Sequence, residues 1–214
     1  PMGGRRGYGP THSQTLDKFL VGIDNVKTLA LNPLLDPAEV YGEIYKTERH
    51  PVVVIENKVD YTKKNFLKDL PNFSIQRSSH QYPLIRVTPV RSEPDLTLVT
   101  YGGMLEFALD SLMQIFYALD LKPELLVLTQ LHPLDIGPII ASVQSSGRLV
   151  VIEEGSSFAG LGSEIIASVA EALPGPLRVG RVAAHPVPIP SCKELESHVL
   201  PDQTTILEIV RRLY

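Results

Sequence analysis

Blocks of apolar and polar positions alternate along this chain, and their character changes near residue 95. Beyond it, short continuous apolar runs alternate with longer stretches whose apolar positions recur three and four residues apart. The runs predict strands at 96–100, 125–128, 148–152 and 177–182. The longer stretches predict helices at 104–118, 136–145, 163–173 and 203–213. Strands that are apolar throughout, rather than at alternate positions, suit a sheet covered on both faces. Strand–helix alternation of this kind implies an α/β fold with a mainly parallel, doubly wound sheet and right-handed crossovers.

The first sixty residues carry a weaker version of the same pattern. After Ser13, the positions Leu16, Phe19, Leu20 and Ile23 have helical spacing, with Thr11 and Gln14 at capping-box separation and Ser13 as an alternative cap. A strand is expected at 26–31 and stops at Asn32-Pro33. Asp36-Pro37 opens a helix, proline being accepted in the first turn after an aspartate cap, with Val40, Ile44 and Tyr45 facing inward. A β-branched strand follows at 51–56. So short a β/α unit leaves a sheet edge bare, and the missing neighbours are expected to be upstream residues, a partner chain, or both. The start, Pro1-Met2-Gly3-Gly4-Arg5-Arg6, reads as a cut inside a larger fold. Between 61 and 94 periodicity fades. Lys63, Lys64, Lys68, Pro71, Asn72, Pro83, Pro89 and Pro94 mark a linker, with 84–87 a candidate strand inside it.

Composition narrows the classes. Of 214 residues, 43% are apolar and the formal net charge is −4, which suits one large or two small domains and gives no polyanion-binding surface. No apolar run is long enough for a bilayer, and no signal-peptide pattern is present. Cys192 is the single cysteine, so neither an internal disulfide nor a thiolate metal site is expected, and a reducing compartment is the default.

Candidate chemistry centres on Gly7-Tyr8-Gly9-Pro10-Thr11-His12-Ser13-Gln14. Here a histidine is expected between a glycine-rich loop and a helix N-terminus, whose free N–H groups carry partial positive charge. Imidazole titrates near neutrality, so His12 is the candidate for proton chemistry, weighed against an ordinary loop-to-helix junction. Glu153-Glu154-Gly155 closes a parallel strand, where doubly wound folds place sites. With no accompanying ligand pattern, it reads as a polar strand end rather than a metal centre. Gly160-Leu161-Gly162 lacks the full dinucleotide fingerprint and reads as close helix–sheet packing. His80 reads as solvated and His185 as a turn residue, while Met104, Phe107, Ala108, Leu112, Ile115 and Phe116 read as core.

Taken in order, several motifs resemble one family. They are Gly9-Pro10-Thr11-His12-Ser13-Gln14, His50-Pro51-Val52-Val53-Val54-Ile55-Glu56-Asn57-Lys58 and Leu98-Val99-Thr100-Tyr101-Gly102-Gly103-Met104. Further on come Leu131-His132-Pro133-Leu134-Asp135, Gly147-Arg148-Leu149-Val150-Val151-Ile152-Glu153-Glu154-Gly155 and Val187-Pro188-Ile189-Pro190. The ordered set, covering nearly the whole chain, resembles the β subunit of 2-oxo acid dehydrogenase E1 components of the pyruvate, branched-chain or acetoin type.

The resemblance implies part of a pyrimidine-binding domain at 1–62, the linker at 63–94 and a transketolase C-terminal-type domain at 95–214. It implies oxidative decarboxylation of a 2-oxo acid with thiamine diphosphate and magnesium, and acyl transfer to a lipoyl arm. The implied partners are an E1 α subunit or a fused α portion, a second β subunit, and the subunit-binding domain of lipoyl-E2. Arg211, Arg212 and Tyr214 would lie near that last contact, unless they simply complement a helix dipole. Cytoplasmic localisation is implied, or the mitochondrial matrix or plastid in a eukaryote. His12 maps onto the histidine that enters the active site, with a role in positioning or proton donation during reductive acylation. The pyrimidine-binding glutamate and the ring-packing aromatic fall upstream of Pro1, and the diphosphate and metal ligands belong to the α subunit. No cofactor-binding or metal-binding residue is therefore assigned to this chain, which is expected to be inactive alone. His132 stands where the family usually has arginine, which puts any interface role of that arginine in doubt. The alternatives are a non-catalytic module for dimerisation and E2 docking, or a fragment of another transketolase-family enzyme.

Overall fold

The computed structural model describes residues 1–63 and 70–214; the expected linker residues Lys64 and Lys68 lie outside them. The chain opens with a four-residue helix, α1 (Gly9–His12), and a 3₁₀ turn at Asp17–Phe19. The strands and helices β1 (Lys27–Ala30), α2 (Pro37–Thr47) and β2 (Val52–Ile55) follow, then a second 3₁₀ segment, Lys58–Thr62. The hairpin β3 (Phe73–Arg77) and β4 (Ile85–Pro89) leads into β5 (Leu96–Tyr101), α3 (Leu105–Ala118), β6 (Pro123–Leu128), β7 (Gln130–His132) and α4 (Gly137–Ser146). The chain ends with β8 (Arg148–Ser156), α5 (Leu161–Ala172), β9 (Arg178–Ala184), α6 (Lys193–Glu196) and α7 (Gln203–Arg211).

The main sheet has six strands in the order β3-β4-β6-β5-β8-β9. Strands β6, β5, β8 and β9 are parallel, and the β3–β4 hairpin joins β6 antiparallel. Alternate residues of β5 serve two cores. Leu96 and Leu98 pack with Leu105, Leu109, Leu112 and Ile115 of α3 and with Ile206 and Val210 of α7. Val99 and Tyr101 face the other way, towards Ile139 and Val143 of α4 and Ile165 and Val169 of α5. Helices thus cover both faces, as a mainly parallel sheet requires. The helix α7 begins where Asp202 Oδ1 accepts the Thr205 N–H at 2.9 Å, and it docks its apolar stripe beside α3.

A second, three-stranded sheet has the order β2-β1-β7. Its β1 and β2 are parallel, and β7 reaches back from the larger unit to pair antiparallel with β1, Thr28 opposite His132. Among the described residues β2 has no strand on its outer side. The helix between β1 and β2 forms as its sequence demands: Asp36 Oδ1 accepts the Ala38 N–H at 2.9 Å with Pro37 in the first turn.

Three local expectations fail. Residues after Ser13 do not form a helix; a 3₁₀ turn anchored by buried Asp17 takes its place, and Phe19 is 68% exposed. Val40 of α2 is buried and Ile44 packs against the core, but Tyr45 points outward, 89% exposed. Finally, the proline-marked stretch expected as a linker with a strand at 84–87 forms that strand as β4 but also contributes β3, and both join the main sheet. Proline is tolerated there because Pro71 and Pro83 fall outside the strands and Pro89 is the last residue of β4.

Candidate functional site at the switch of the sheet

In a doubly wound sheet, successive crossovers leave a crevice at the carboxyl ends of neighbouring strands where the winding reverses. Here β5 is followed by β6 on one side, and β8 then adds on the other, so the reversal falls between β5 and β8. Tyr101 ends β5, and Glu153 and Glu154 lie near the end of β8.

The crevice is filled by the chain's own beginning. Glu154 Oε1 accepts the Gly4 N–H at 2.9 Å and the Thr15 hydroxyl at 2.8 Å, and Oε2 accepts from Asn57 Nδ2 at 3.3 Å. The backbone runs so close that a methyl group on Gly103 or Gly3 would collide with the Asn57 side chain. Further along, the Gly7 N–H donates to Glu196 Oε2 at 2.7 Å. Arg5 lies over the Phe107 ring, 4.0 Å from its centroid, and donates to the Pro201 carbonyl. Burial holds the Arg5 pKa below its ordinary value, partly offset by Glu154, Asp202 and Glu196.

Beside Glu154, a second set of buried groups meets. The Tyr101 hydroxyl donates to Asp17 Oδ2, and Glu153 Oε2 lies 3.4 Å from the same phenol oxygen. The Gly162 N–H donates to Glu153 Oε2 at 3.3 Å, so a strand carboxyl serves the N-terminus of α5, whose own cap residue, Gly160, offers no side chain. A Cβ on Gly160 would come within 2.5 Å of Glu153 Oε2, and one on Gly162 within 2.8 Å of Oε1. Gly160-Leu161-Gly162 is thus the close helix–sheet packing its sequence suggested. Glu153 is only 1% exposed, and burial, with Asp17 nearby, pushes its pKa up to about 7. Tyr101 is raised well above its ordinary value by burial and by both carboxylates, so it stays neutral.

His12 sits elsewhere in the geometry. It is exposed, at the last position of α1 rather than at a helix N-terminus, so no helix-start charge acts on it. Its carbonyl accepts from the Lys58 ammonium, and the loop is closed by Ser13 N–H to the Gly9 carbonyl at 3.0 Å. Gly9 has φ +69°, and a side chain there would strike Ser191, which explains the glycine. His80 is largely solvated, its Nδ1 3.9 Å from Asp135 Oδ2. His132 lies on β7 and lines a cleft of about 560 Å³ with Lys18, Leu161 and Ser163. The sequence marked Glu153 and Glu154 only as a strand end. Asn57 and Tyr101 appeared only within family-like motifs and Asp17 and Glu196 not at all as site residues, because their partners are tens of residues away in the chain.

Among the described residues, no group of three or more His, Cys, Asp or Glu side chains could hold a metal ion. Both oxygens of Glu154 and one oxygen each of Glu153 and Glu196 are engaged by this chain's own donors. These residues therefore do not fit a magnesium diphosphate.

Residues 86–206 match the family described as transketolase, C-terminal domain. The chain belongs to that family. The match begins within β4 and runs into α7, so it spans the six-stranded sheet apart from β3. Over 99% of its length the chain is 32% identical to the pyruvate dehydrogenase E1 component subunit beta of Leifsonia xyli, of which it covers 60%. Over its full length it is 27% identical to the mitochondrial protein of that name from Saccharomyces cerevisiae, covering 57% of it. This transketolase C-terminal family member thus spans about half to three-fifths of the length of the curated relatives it matches. A solved structure titled "Split gene transketolase, inactive beta4 tetramer" superposes with a TM-score of 0.69 over 99% of this chain and 64% of its own, at 17% identity, and shares the fold.

Proposed function

We propose that the chain is part of the β subunit of a thiamine diphosphate-dependent 2-oxo acid dehydrogenase E1, an oxidoreductase that passes an acyl group to lipoyl-E2. The observation that carries this reading is the continuous similarity to pyruvate dehydrogenase E1 β subunits over 99–100% of the chain. In this reading residues 1–62 belong to a pyrimidine-binding-type unit and the six-stranded sheet to the C-terminal domain. The coenzyme and magnesium are gripped by groups other than the described ones. The partners are an α subunit or fused α portion, a second β subunit and the subunit-binding domain of E2. A yeast relative and an Arabidopsis relative are named as mitochondrial, which supports the matrix if the source is a eukaryote. No helix among the described residues is long and apolar enough to cross a membrane.

His12 is the residue this chain offers to the reaction. It is exposed on a loop held by Lys58, Ser13 and Gly9, so its imidazole is free to meet a group from another chain. Its task is to position or protonate the lipoyl group as it accepts the acyl unit. The test is His12→Ala in the full-length enzyme reconstituted with its α partner. Lipoyl-dependent turnover is expected to fall by about 10²-fold or more, while partner binding is kept. Unchanged turnover removes His12 from the mechanism.

A further inference from the structure

In the crevice between β5 and β8 one hydroxyl, that of Tyr101, lies within reach of two carboxyl groups. Tyr101 has a single hydroxyl hydrogen, and it is given to Asp17. The Glu153 oxygen 3.4 Å from the same phenol therefore meets an oxygen lone pair, unless Glu153 brings a hydrogen of its own. Its second oxygen, Oε1, is buried without any partner. A carboxylate in that position would have one weak backbone donor, Gly162 N–H, and a neighbouring anion; a carboxylic acid completes a chain in which Glu153 donates to Tyr101 and Tyr101 donates to Asp17. We propose that Asp17, Tyr101 and Glu153 form a proton-dependent clasp, in which a hydrogen held by Glu153 fastens the turn at Asp17–Phe19 to the switch of the main sheet and its loss loosens that turn.

The surrounding charges support the assignment. Asp17 faces Glu153 from the first segment, Tyr101 from β5, and Arg181 from β9, while α5 contributes only the Gly162 N–H. The Arg181 guanidinium is committed to the Ser157 carbonyl and the Ser163 hydroxyl. The Lys18 ammonium is likewise committed, to Ser156 Oγ at 2.5 Å and the Phe158 carbonyl at 2.9 Å. Burial is the leading cause of the rise in the Glu153 pKa, from 4.5 to about 7. What the clasp holds is defined: the Asp17 carbonyl accepts the N–H groups of Leu20 at 2.8 Å and Val21 at 3.1 Å, and the Leu20 carbonyl accepts the Thr28 hydroxyl of β1 at 3.1 Å. The clasp does not depend on His12 having any role in a reaction, and its test does not use activity.

The test is amide hydrogen exchange of residues 17–21 in the full-length protein, at pH values from 4.5 to 8.5 and corrected for intrinsic rates. The open turn should carry an ordinary glutamate and the closed turn an acid with its pKa near 7. The opening constant should then rise by up to about tenfold per pH unit between about 4.5 and 7, and level off above. In Glu153→Gln it should be flat. A flat wild-type profile, or the same slope in Glu153→Gln, overturns the clasp. Infrared titration of the wild type, with ¹³C-glutamate labelling, decides the matter even if that variant does not fold. One buried carboxylic acid band should persist at pH 6, vanish by pH 8, and vanish at lower pH in Tyr101→Phe, which removes the acceptor of the hydrogen bond that the acid donates. Absence of such a band at pH 6, or a band unmoved in Tyr101→Phe, equally overturns it.

Discussion

Glu154 collects hydrogen bonds from Gly4, Thr15 and Asn57, three points of the first segment, and so ties that segment to the main sheet through a single side chain. Glu154→Ala leaves those buried donors without an acceptor, at about 1–3 kcal/mol for each one that water cannot reach. A fall in stability of about 3 kcal/mol is expected in denaturant titration. Neighbouring Gly160→Ala places a methyl group against both carboxyl oxygens of Glu153 and should cost about 1–3 kcal/mol, visible as a lower Tm. Glu153 itself gives a pH-dependent difference. Its folded-state pKa lies above the unfolded value, so folding favours the protonated form; that contribution is complete below about pH 4.5 and is lost as pH rises towards about 7. Glu153→Gln lacks this loss. Its stability relative to wild type should therefore climb by up to roughly 3 kcal/mol between pH 4.5 and 7.5 in parallel denaturant titrations.

At the scale of elements, the sequence was most readable where packing obeys a simple period. Strands β5, β6 and β8 are buried end to end, or nearly so, and their apolar runs say so directly. In α3 the positions Leu105, Leu109, Leu112 and Ile115 keep helical spacing and all face one core. The period misled after Ser13. Leu16, Phe19 and Ile23 have helical spacing yet remain exposed, because Asp17, a polar residue among them, is drawn into the crevice by Tyr101, 84 residues away. No local pattern announces a contact of that range. Half of the β3–β4 hairpin was legible: 84–87 read as a strand and is β4, whereas β3 was hidden because the prolines around it read as breaks. His12 was legible as a motif but not as a place, since its expected helix N-terminus became the end of a four-residue helix. Cap chemistry was readable at Asp36 and Asp202, whereas the capping-box spacing of Thr11 and Gln14 led to no helix. Asp202→Ala should cost about 1 kcal/mol by removing the acceptor for the Thr205 N–H at the start of α7, measurable by thermal unfolding.

Across the whole molecule, the smaller sheet is not an independent body. It shares β7 with the larger unit, Glu154 of β8 grips residues 4, 15 and 57, and the Tyr101 hydroxyl of β5 grips Asp17. One cooperative unfolding transition is expected for the wild type, with calorimetric and van't Hoff enthalpies in agreement. Glu154→Ala should separate an early transition, reported by probes near α2, from the later melting of the six-stranded sheet. Coincident transitions in that variant would show that β7 alone suffices for the coupling.

The antiparallel join between β1 and β7 also has a bearing on biosynthesis. Leu29 pairs with Gln130, about 100 residues downstream. A nascent chain leaving the ribosome can therefore pair β1 with β2 early, but its pairing with β7 waits until about 100 further residues have been made. During that interval a hydrogen-bonding edge is open to the wrong neighbour, which makes the stretch around β1 the place where a chaperone would have most to shield.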